Sequence, residues 1–156
     1  MNLEGVEDAL AYLRRARFGF YYPTGVTPLQ TNMKNRVDNH ENYDVYTLFA
    51  YINSFRLTLF VNGVMIENPV QLGELFVGAR QKCKMTTFKI QIKTGLTPAR
   101  ITNVEKGRRH ERKTLLSYMT AFPPGSFDFE LFLGSSPKFN KLNVPDRKEW
   151  DKSVQS

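Results

Sequence analysis

Cysteine is almost absent from this chain of 156 residues, because Cys83 is the only one. A single cysteine cannot close an intramolecular disulfide or supply a cysteine cluster for zinc, so both kinds of stabilisation are excluded. A chain of this length buries roughly 70% of its unfolded surface and needs no such cross-link. The cysteine usage favours a reducing compartment, and we expect a cytoplasmic or nuclear protein.

Long apolar runs are also missing. The longest run, from Val45 to Ile52, is interrupted by Thr47 and is far shorter than the roughly 20 residues that cross a bilayer. The N-terminal segment opens with acidic residues and lacks the apolar core of a secretory signal. We therefore expect no transmembrane segment and no secretory leader.

Signatures of catalysis and of cofactor binding are scarce. His40 and His110 lie in polar stretches. Cys83 follows an apolar helical pattern, and a lone cysteine in that position is typically a small core residue. The glycines are scattered and form neither a phosphate-binding nor a dinucleotide-binding fingerprint. We predict no catalytic residue, no metal site and no cofactor, and hence a non-enzymatic protein.

The acidic residues leave one enzymatic alternative open. Asp38, Glu41 and Asp44 share a polar stretch, while Asp128 and Glu130 would share one face of a strand. Carboxylates grouped in this way can hold a hard divalent cation. A helix-capping loop and a solvent-facing strand explain them as well, so a metal-dependent enzyme is only the third hypothesis.

The chain is rich in aromatic rings and, in one segment, in positive charge. Its twelve Phe and seven Tyr imply a core or an interface built on rings. Residues 80–113, called the basic segment below, hold eleven Lys and Arg against Glu105 and Glu111, whereas the rest of the chain has a net charge of −2. Such a segment attracts polyanions, either nucleic acid or anionic lipid headgroups.

Apolar periodicity predicts two helices, at residues 6–18 and 69–82, and favours a third at 44–53. The second has the clearest start, because Asn68 suits the N-cap, Pro69 the first helical position and Gln71 the reciprocal capping position. Residues 44–53 also contain β-branched and aromatic residues, which leave a strand as the alternative there. The stretch 31–43 is polar and predicts a loop.

Alternating patterns predict an antiparallel sheet. Asn62-Gly63 between two apolar runs is a strong hairpin signal and places a hairpin at residues 55–66. Further strands are predicted near 84–94, 99–104, 114–120 and 127–133. Together with the helices, they define a single globular α+β domain over residues 1–136.

Apolar residues thin out after residue 136, so we interpret 137–156 as a polar C-terminal tail. Trp150 is the exception within it. A tryptophan in a polar tail either folds back onto its domain or serves as an anchor for a partner.

These features favour a protein that binds nucleic acid, either RNA or DNA, and contacts mainly the phosphate backbone. Lysine and arginine neutralise phosphates and release counterions. The predicted contacts, all in the basic segment, are Lys82, Lys84, Lys89, Lys93, Arg100, Lys106, Arg108, Arg109, Arg112 and Lys113.

A second hypothesis belongs to a different class. A self-assembling structural protein of the viral matrix or capsid type would use the same basic segment on an anionic membrane surface or on a ribonucleoprotein. The aromatic content, Trp150 and the lack of catalytic residues suit such a protein. In that case we expect a homo-oligomer.

Overall fold

The computed structural model describes residues 1–16, 29–133, 140–142, 144–145 and 147. Within them the chain forms seven helices and four strands, which confirms the α+β class. The helices are α1 (Leu3–Arg15), α2 (Thr31–Asp38), α3 (Val45–Ser54), α4 (Pro69–Lys82), α5 (Thr87–Thr94), α6 (Pro98–Glu105) and α7 (Arg112–Met119). The strands are β1 (Leu57–Val61), β2 (Val64–Ile66), β3 (Phe129–Leu133) and β4 (Asn140–Lys141).

The sheet is antiparallel in the order β2-β1-β3-β4. The hairpin predicted at Asn62-Gly63 is confirmed, with positive φ angles of 52° and 76° at its two turn residues. Leu59 faces Leu131 in the register of β1 and β3, and both are buried. The predicted alternation of β1 and β3 therefore places one face of the sheet against the core.

Helices α1 and α3 cover this buried face, since α1 packs on β3 and α3 on β1. The side chain of Asn2 caps α1 by accepting from the Gly5 N–H, so the helix begins three residues before the predicted start at 6. Its end at Arg15 precedes the predicted end at 18, and residues 17 and 18 lie outside the described residues. The third helix, favoured at 44–53, is confirmed as α3.

The remaining helices, α4 to α7, pack against one another beside the sheet. The predicted helix at 69–82 is confirmed as α4, and Asn68 accepts from the Gln71 N–H as the capping pattern indicates. A Cβ atom on Gly73 would clash with the carbonyl oxygen of Glu105. A larger residue is excluded there, so this glycine lets α4 and α6 approach closely.

The three strands predicted between 84 and 120 are wrong. Residues 84–94 contain α5, residues 99–104 lie within α6, and residues 114–120 contain most of α7. Thr86 caps α5 by accepting from the Lys89 N–H, and Thr97 caps α6 by accepting from the Arg100 N–H. These local capping bonds, together with helical packing, outweigh the β-branched composition that had favoured strands. The loop predicted at 31–43 is also partly wrong, because it contains α2.

Part of the predicted C-terminal tail contacts the domain. Asn140 and Lys141 pair with the end of β3, Leu142 is buried, and Arg147 binds Asp8 on α1. The boundary at residue 136 stays a prediction, and Trp150 lies outside the described residues. None of the helices in the described part of the chain has the length and apolar character that a bilayer crossing needs.

Candidate nucleic-acid interface

Two of the eleven cations in the basic segment are used inside the fold. Arg112 Nε lies 2.6 Å from Glu7 Oε2 and its Nη2 lies 2.9 Å from Oε1, while Tyr43 donates to the same carboxylate. The Glu7 side chain is fully buried and that of Arg112 is only 14% exposed. Arg112 was predicted as a polyanion contact, but its guanidinium neutralises a buried carboxylate and is removed from the candidate surface.

Arg80 has the equivalent arrangement. Its Nε lies 2.7 Å from Glu105 Oε2, and Tyr118 donates to the same oxygen. The hydrogen bond to Glu105 raises the pKa of Arg80, and burial raises that of Tyr118. Both groups therefore keep their protons, and the pair holds α4, α6 and α7 together rather than facing a ligand.

Three lysines of the basic segment converge on one depression. Lys84, Lys89 and Lys93 line a hollow of about 450 Å³ at the junction of α4, α5 and the segment after α7. All three are exposed, and Lys93 Nζ donates to the Ala121 carbonyl at 3.3 Å. We call this the lysine hollow. Cys83, expected in the core, is exposed and lines the same hollow.

Two large apolar side chains project from α5 into solvent. Phe88 is 66% exposed and Ile92 is 65% exposed. They are four residues apart, so they lie on one face of the helix, and Lys89 and Lys93 each follow one of them in the chain. Sequence reasoning missed this pair, because the predicted strand places Phe88 and Ile92 on the same apolar face as Ile90, which would be buried.

A second depression lies between α6 and α7, with a volume of about 260 Å³. We call it the His110 pocket. Two further predicted contacts, Arg100 and Lys113, are exposed and belong to its walls. Helix α5 packs against both α6 and α7, so the lysine hollow and the His110 pocket are formed by adjoining helices. The walls of the His110 pocket are formed by Arg100, Asn103, His110, Glu111, Lys113 and Thr114.

The other predicted contacts lie outside these two depressions. Arg109 Nη1 is 3.1 Å from Asp44 Oδ2, and its guanidinium lies 5.7 Å from the centre of the Tyr46 ring, although its side chain remains 81% exposed. Lys82, Lys106 and Arg108 are exposed at the surface. Nine of the ten predicted contacts are thus on the surface, and five of them line the two depressions.

The acidic residues of the metal hypothesis have protein partners. Asp38 accepts from Arg14 and Tyr51, Asp44 caps α3, and Asp128 binds the N-terminal amino group of the chain. These contacts explain three of the five carboxylates as structural groups.

A different group brings potential ligand atoms together: Glu4, Asp8 and His40, whose ligand atoms lie within 4.8 Å of one another. The spacing of Glu4 and Asp8 on a helix is visible in the sequence, but the approach of His40 is not. In the structure Arg147 Nε lies 2.8 Å from Asp8 Oδ1, as does His40 Nε2. The guanidinium of Arg147 already occupies the carboxylate of Asp8, so we do not interpret this cluster as a metal centre.

Resemblance gives no guide to function, because no protein-family model, no curated protein and no solved structure matches this chain. Its function is inferred below from the side chains of the two depressions and of α5.

Proposed function

We propose that the protein is a non-enzymatic nucleic-acid-binding protein. The observation that carries the proposal is the surface around α5, where the lysine hollow lies beside exposed Phe88 and Ile92. Cations that converge on one hollow can follow a phosphate backbone, and an exposed ring can stack on a base.

Single strands fit this surface better than duplexes. The bases of a duplex are stacked on one another, so a protruding ring reaches a base face only where a strand is unpaired. Phe88 offers such a ring, and Ile92 extends the apolar strip by one helical turn. The contact to phosphates is independent of sequence, so we expect little sequence preference.

Salt dependence tests the proposal. Fluorescence polarisation with a labelled single-stranded oligonucleotide at several salt concentrations measures how many phosphates are neutralised. Five to seven contacts predict a log–log slope of roughly −4 to −5 for a single strand. An affinity that does not change with salt, or no binding at low salt, would overturn the proposal.

Variants separate the lysine contacts to phosphate from the stacking of Phe88 on a base. Lys89→Gln and Lys93→Gln each should reduce the slope by about 0.7, because each removes one phosphate contact. Phe88→Ala should weaken binding by roughly five-fold or more, the lower end of what one base–aromatic stack contributes, without changing the slope. Arg36→Gln on α2 and Val64→Ala on β2 alter exposed residues elsewhere and should leave both quantities unchanged.

The exposed pair on α5 also favours the second candidate, a self-assembling protein at an anionic membrane. Apolar side chains flanked by lysines on one helix are typical of helices that lie in the membrane interface. Flotation with phosphatidylserine vesicles and light scattering against protein concentration test it. Flotation that Phe88→Ala abolishes, without any binding to oligonucleotides, would replace the first proposal by the second.

A further inference from the structure

Three lysines line the lysine hollow, and none of the other described residues in its walls is acidic. The walls come from three parts of the chain: the turn after α4, the helix α5 with its capping residue, and the segment after α7. The wall residues are Cys83, Lys84, Met85, Thr86, Lys89, Lys93, Ala121 and Pro123. Positive charge is therefore concentrated in the hollow without a carboxylate in its walls, which favours a strongly negative ligand.

Each of the three lysines can direct its ammonium group into the hollow. Lys84 and Lys89 are exposed, and a lysine carries its charge on a flexible stem of four carbons. Lys93 Nζ donates to the Ala121 carbonyl at 3.3 Å, which holds this ammonium where α5 meets the segment after α7. An ammonium has three donors, so the others remain for a ligand. Thr86 adds a hydroxyl that can also donate.

A phosphate monoester matches this set of donors better than the internal phosphates of a strand. An internal phosphodiester carries one negative charge, whereas a monoester carries about −1.5 to −2 at pH 7 and offers three acceptor oxygens. An internal phosphate also has a nucleotide on either side, whereas a terminal phosphate is attached on one side only and can enter a hollow with walls on three sides. The volume of about 450 Å³ is large enough for a terminal phosphate together with its sugar.

We propose that the lysine hollow receives the terminal phosphate monoester of a nucleic-acid strand, so that the protein prefers strands with a phosphorylated end. Phe88 precedes Lys89 on α5 and is 66% exposed, so the base of the end nucleotide can stack on its ring. The inference rests on the proposed function and adds to it the part of the strand that the hollow recognises.

The end group of the strand can be varied without altering the protein. Fluorescence polarisation at fixed salt compares strands of one sequence that end in a hydroxyl, in a phosphate, or in a methylated phosphate, which is a diester. The label is attached at the opposite end, and the two ends of the strand are tested in turn. At one end at least, the phosphate should strengthen binding by about ten-fold, the lower end of what a hydrogen bond to a charged group contributes. Methylation should remove most of this gain, because the methylated group carries a single charge.

Protein variants locate the preference. The double variant Lys84→Gln/Lys93→Gln removes two of the three cations of the hollow and should bring the affinities of the phosphorylated and hydroxyl strands close together. The matched control, Lys106→Gln/Arg108→Gln, removes two exposed cations of the basic segment that are not among the wall residues. It should weaken both strands alike and preserve the ratio of their affinities.

Cys83 gives a second, local readout in the unaltered protein. It is the only cysteine of the chain, is exposed and lines the hollow, so the rate of its alkylation by iodoacetamide reports access to the hollow. Adenosine 5′-monophosphate or adenosine 3′-monophosphate should slow this alkylation in a saturable way. Adenosine, which has the same base and sugar without the phosphate, should leave the rate unchanged.

The possible outcomes separate this inference from the proposed function. Equal affinity for strands with phosphate and hydroxyl ends, together with salt-dependent binding, would overturn the terminal-phosphate assignment and leave the proposed function intact. The assignment also fails if the methylated strand keeps the full gain, if the preference survives in Lys84→Gln/Lys93→Gln, or if neither monophosphate slows the alkylation of Cys83. If no strand binds at low salt, the proposed function and this inference fail together.

Discussion

Three groups of side chains repeat one arrangement, in which a buried or half-buried carboxylate accepts from both an arginine and a tyrosine. The groups are Glu7–Arg112–Tyr43, Glu105–Arg80–Tyr118 and Asp38–Arg14–Tyr51. The first joins α1 to α7, the second α4 to α6 and α7, and the third α1 to α2 and α3, so each fixes how its helices pack. A carboxylate with two donors keeps its charge hydrogen-bonded, which is the condition for burying it at tolerable cost.

The group around Glu7 gives the sharpest test of this role. Glu7→Gln keeps the size of the side chain but leaves the largely buried guanidinium of Arg112 without a counter-charge. We expect the free energy of unfolding to fall by about 3 kcal/mol, the lower end for breaking one partner of a buried pair. Urea denaturation measures it.

Glu74→Gln is the matched control, because Glu74 is an exposed residue of α4. Its effect should lie within about 0.5 kcal/mol. A similar small loss for Glu7→Gln would show that the buried ion pair contributes little to stability.

At the scale of elements, substitution of two glycines by alanine should change the free energy of unfolding in opposite directions. Gly63 has a φ of +76° in the β1–β2 turn, which strains any side chain, whereas Gly78 lies inside α4 with space around it. Gly63→Ala should lower the free energy of unfolding by about 1 kcal/mol. Gly78→Ala should raise it by roughly 0.5–1 kcal/mol, because alanine loses less entropy in a helix.

Thermal and urea unfolding of the two variants measure both effects on one scale. Apart from its chain neighbours and, for Gly78, the backbone of its own helix, neither glycine has an atom within 4 Å of an added Cβ, so steric clashes do not complicate the comparison. Two shifts of the same sign would contradict the assigned backbone conformations.

The sequence predicts α4 but not α6, and the difference lies in the strength of the apolar pattern that follows each helix start. Asn68-Pro69 begins α4 and Thr97-Pro98 begins α6 in the same way, with a capping side chain followed by proline at the first helical position. The first pair precedes an apolar stripe, so the sequence predicts a helix that begins there. The second precedes a short helix that buries only Ile101 and Val104, so its apolar pattern was too weak to distinguish a helix from a strand.

The candidate site could likewise be predicted only in part from the sequence. The concentration of positive charge is visible in the sequence, and nine of the ten predicted contacts are on the surface. The use of Arg112 inside the fold could not be predicted, because its partner Glu7 lies 105 residues away. The exposure of Phe88 depends on α5 being a helix, so the mistaken strand concealed it.

Considered as a whole molecule, the chain keeps most of its charge asymmetry after folding. Removing Arg80 and Arg112, which are paired with Glu105 and Glu7, leaves nine cations in the basic segment against Glu111 alone. Opposite charges elsewhere screen only part of this field, as Asp44 does for Arg109. Long-range attraction of a polyanion therefore survives the internal ion pairs.

Alkaline pH should destabilise the whole fold. Burial, reinforced by a neighbouring carboxylate, raises the pKa of Tyr43, Tyr51 and Tyr118 far above the ordinary value of about 10. In the folded chain these tyrosines remain protonated, whereas the unfolded chain releases their protons as the pH rises through about 10. The unfolded state then binds fewer protons, so stability present below that pH is lost above it.

The free energy of unfolding should fall steeply with rising pH, because the three tyrosines contribute together. Each contributes up to about 1.4 kcal/mol per pH unit, and the three together up to about 4 kcal/mol per pH unit. Urea unfolding at a series of pH values from about 9 to 11 measures the slope, and tyrosinate absorbance reports the ionisation itself. Tyr43→Phe should reduce the slope by about a third, since one titrating group is gone. A stability that stays constant up to about pH 11 would mean that these hydroxyls ionise as easily in the folded chain as in the unfolded one, which their contacts with Glu7, Asp38 and Glu105 should prevent.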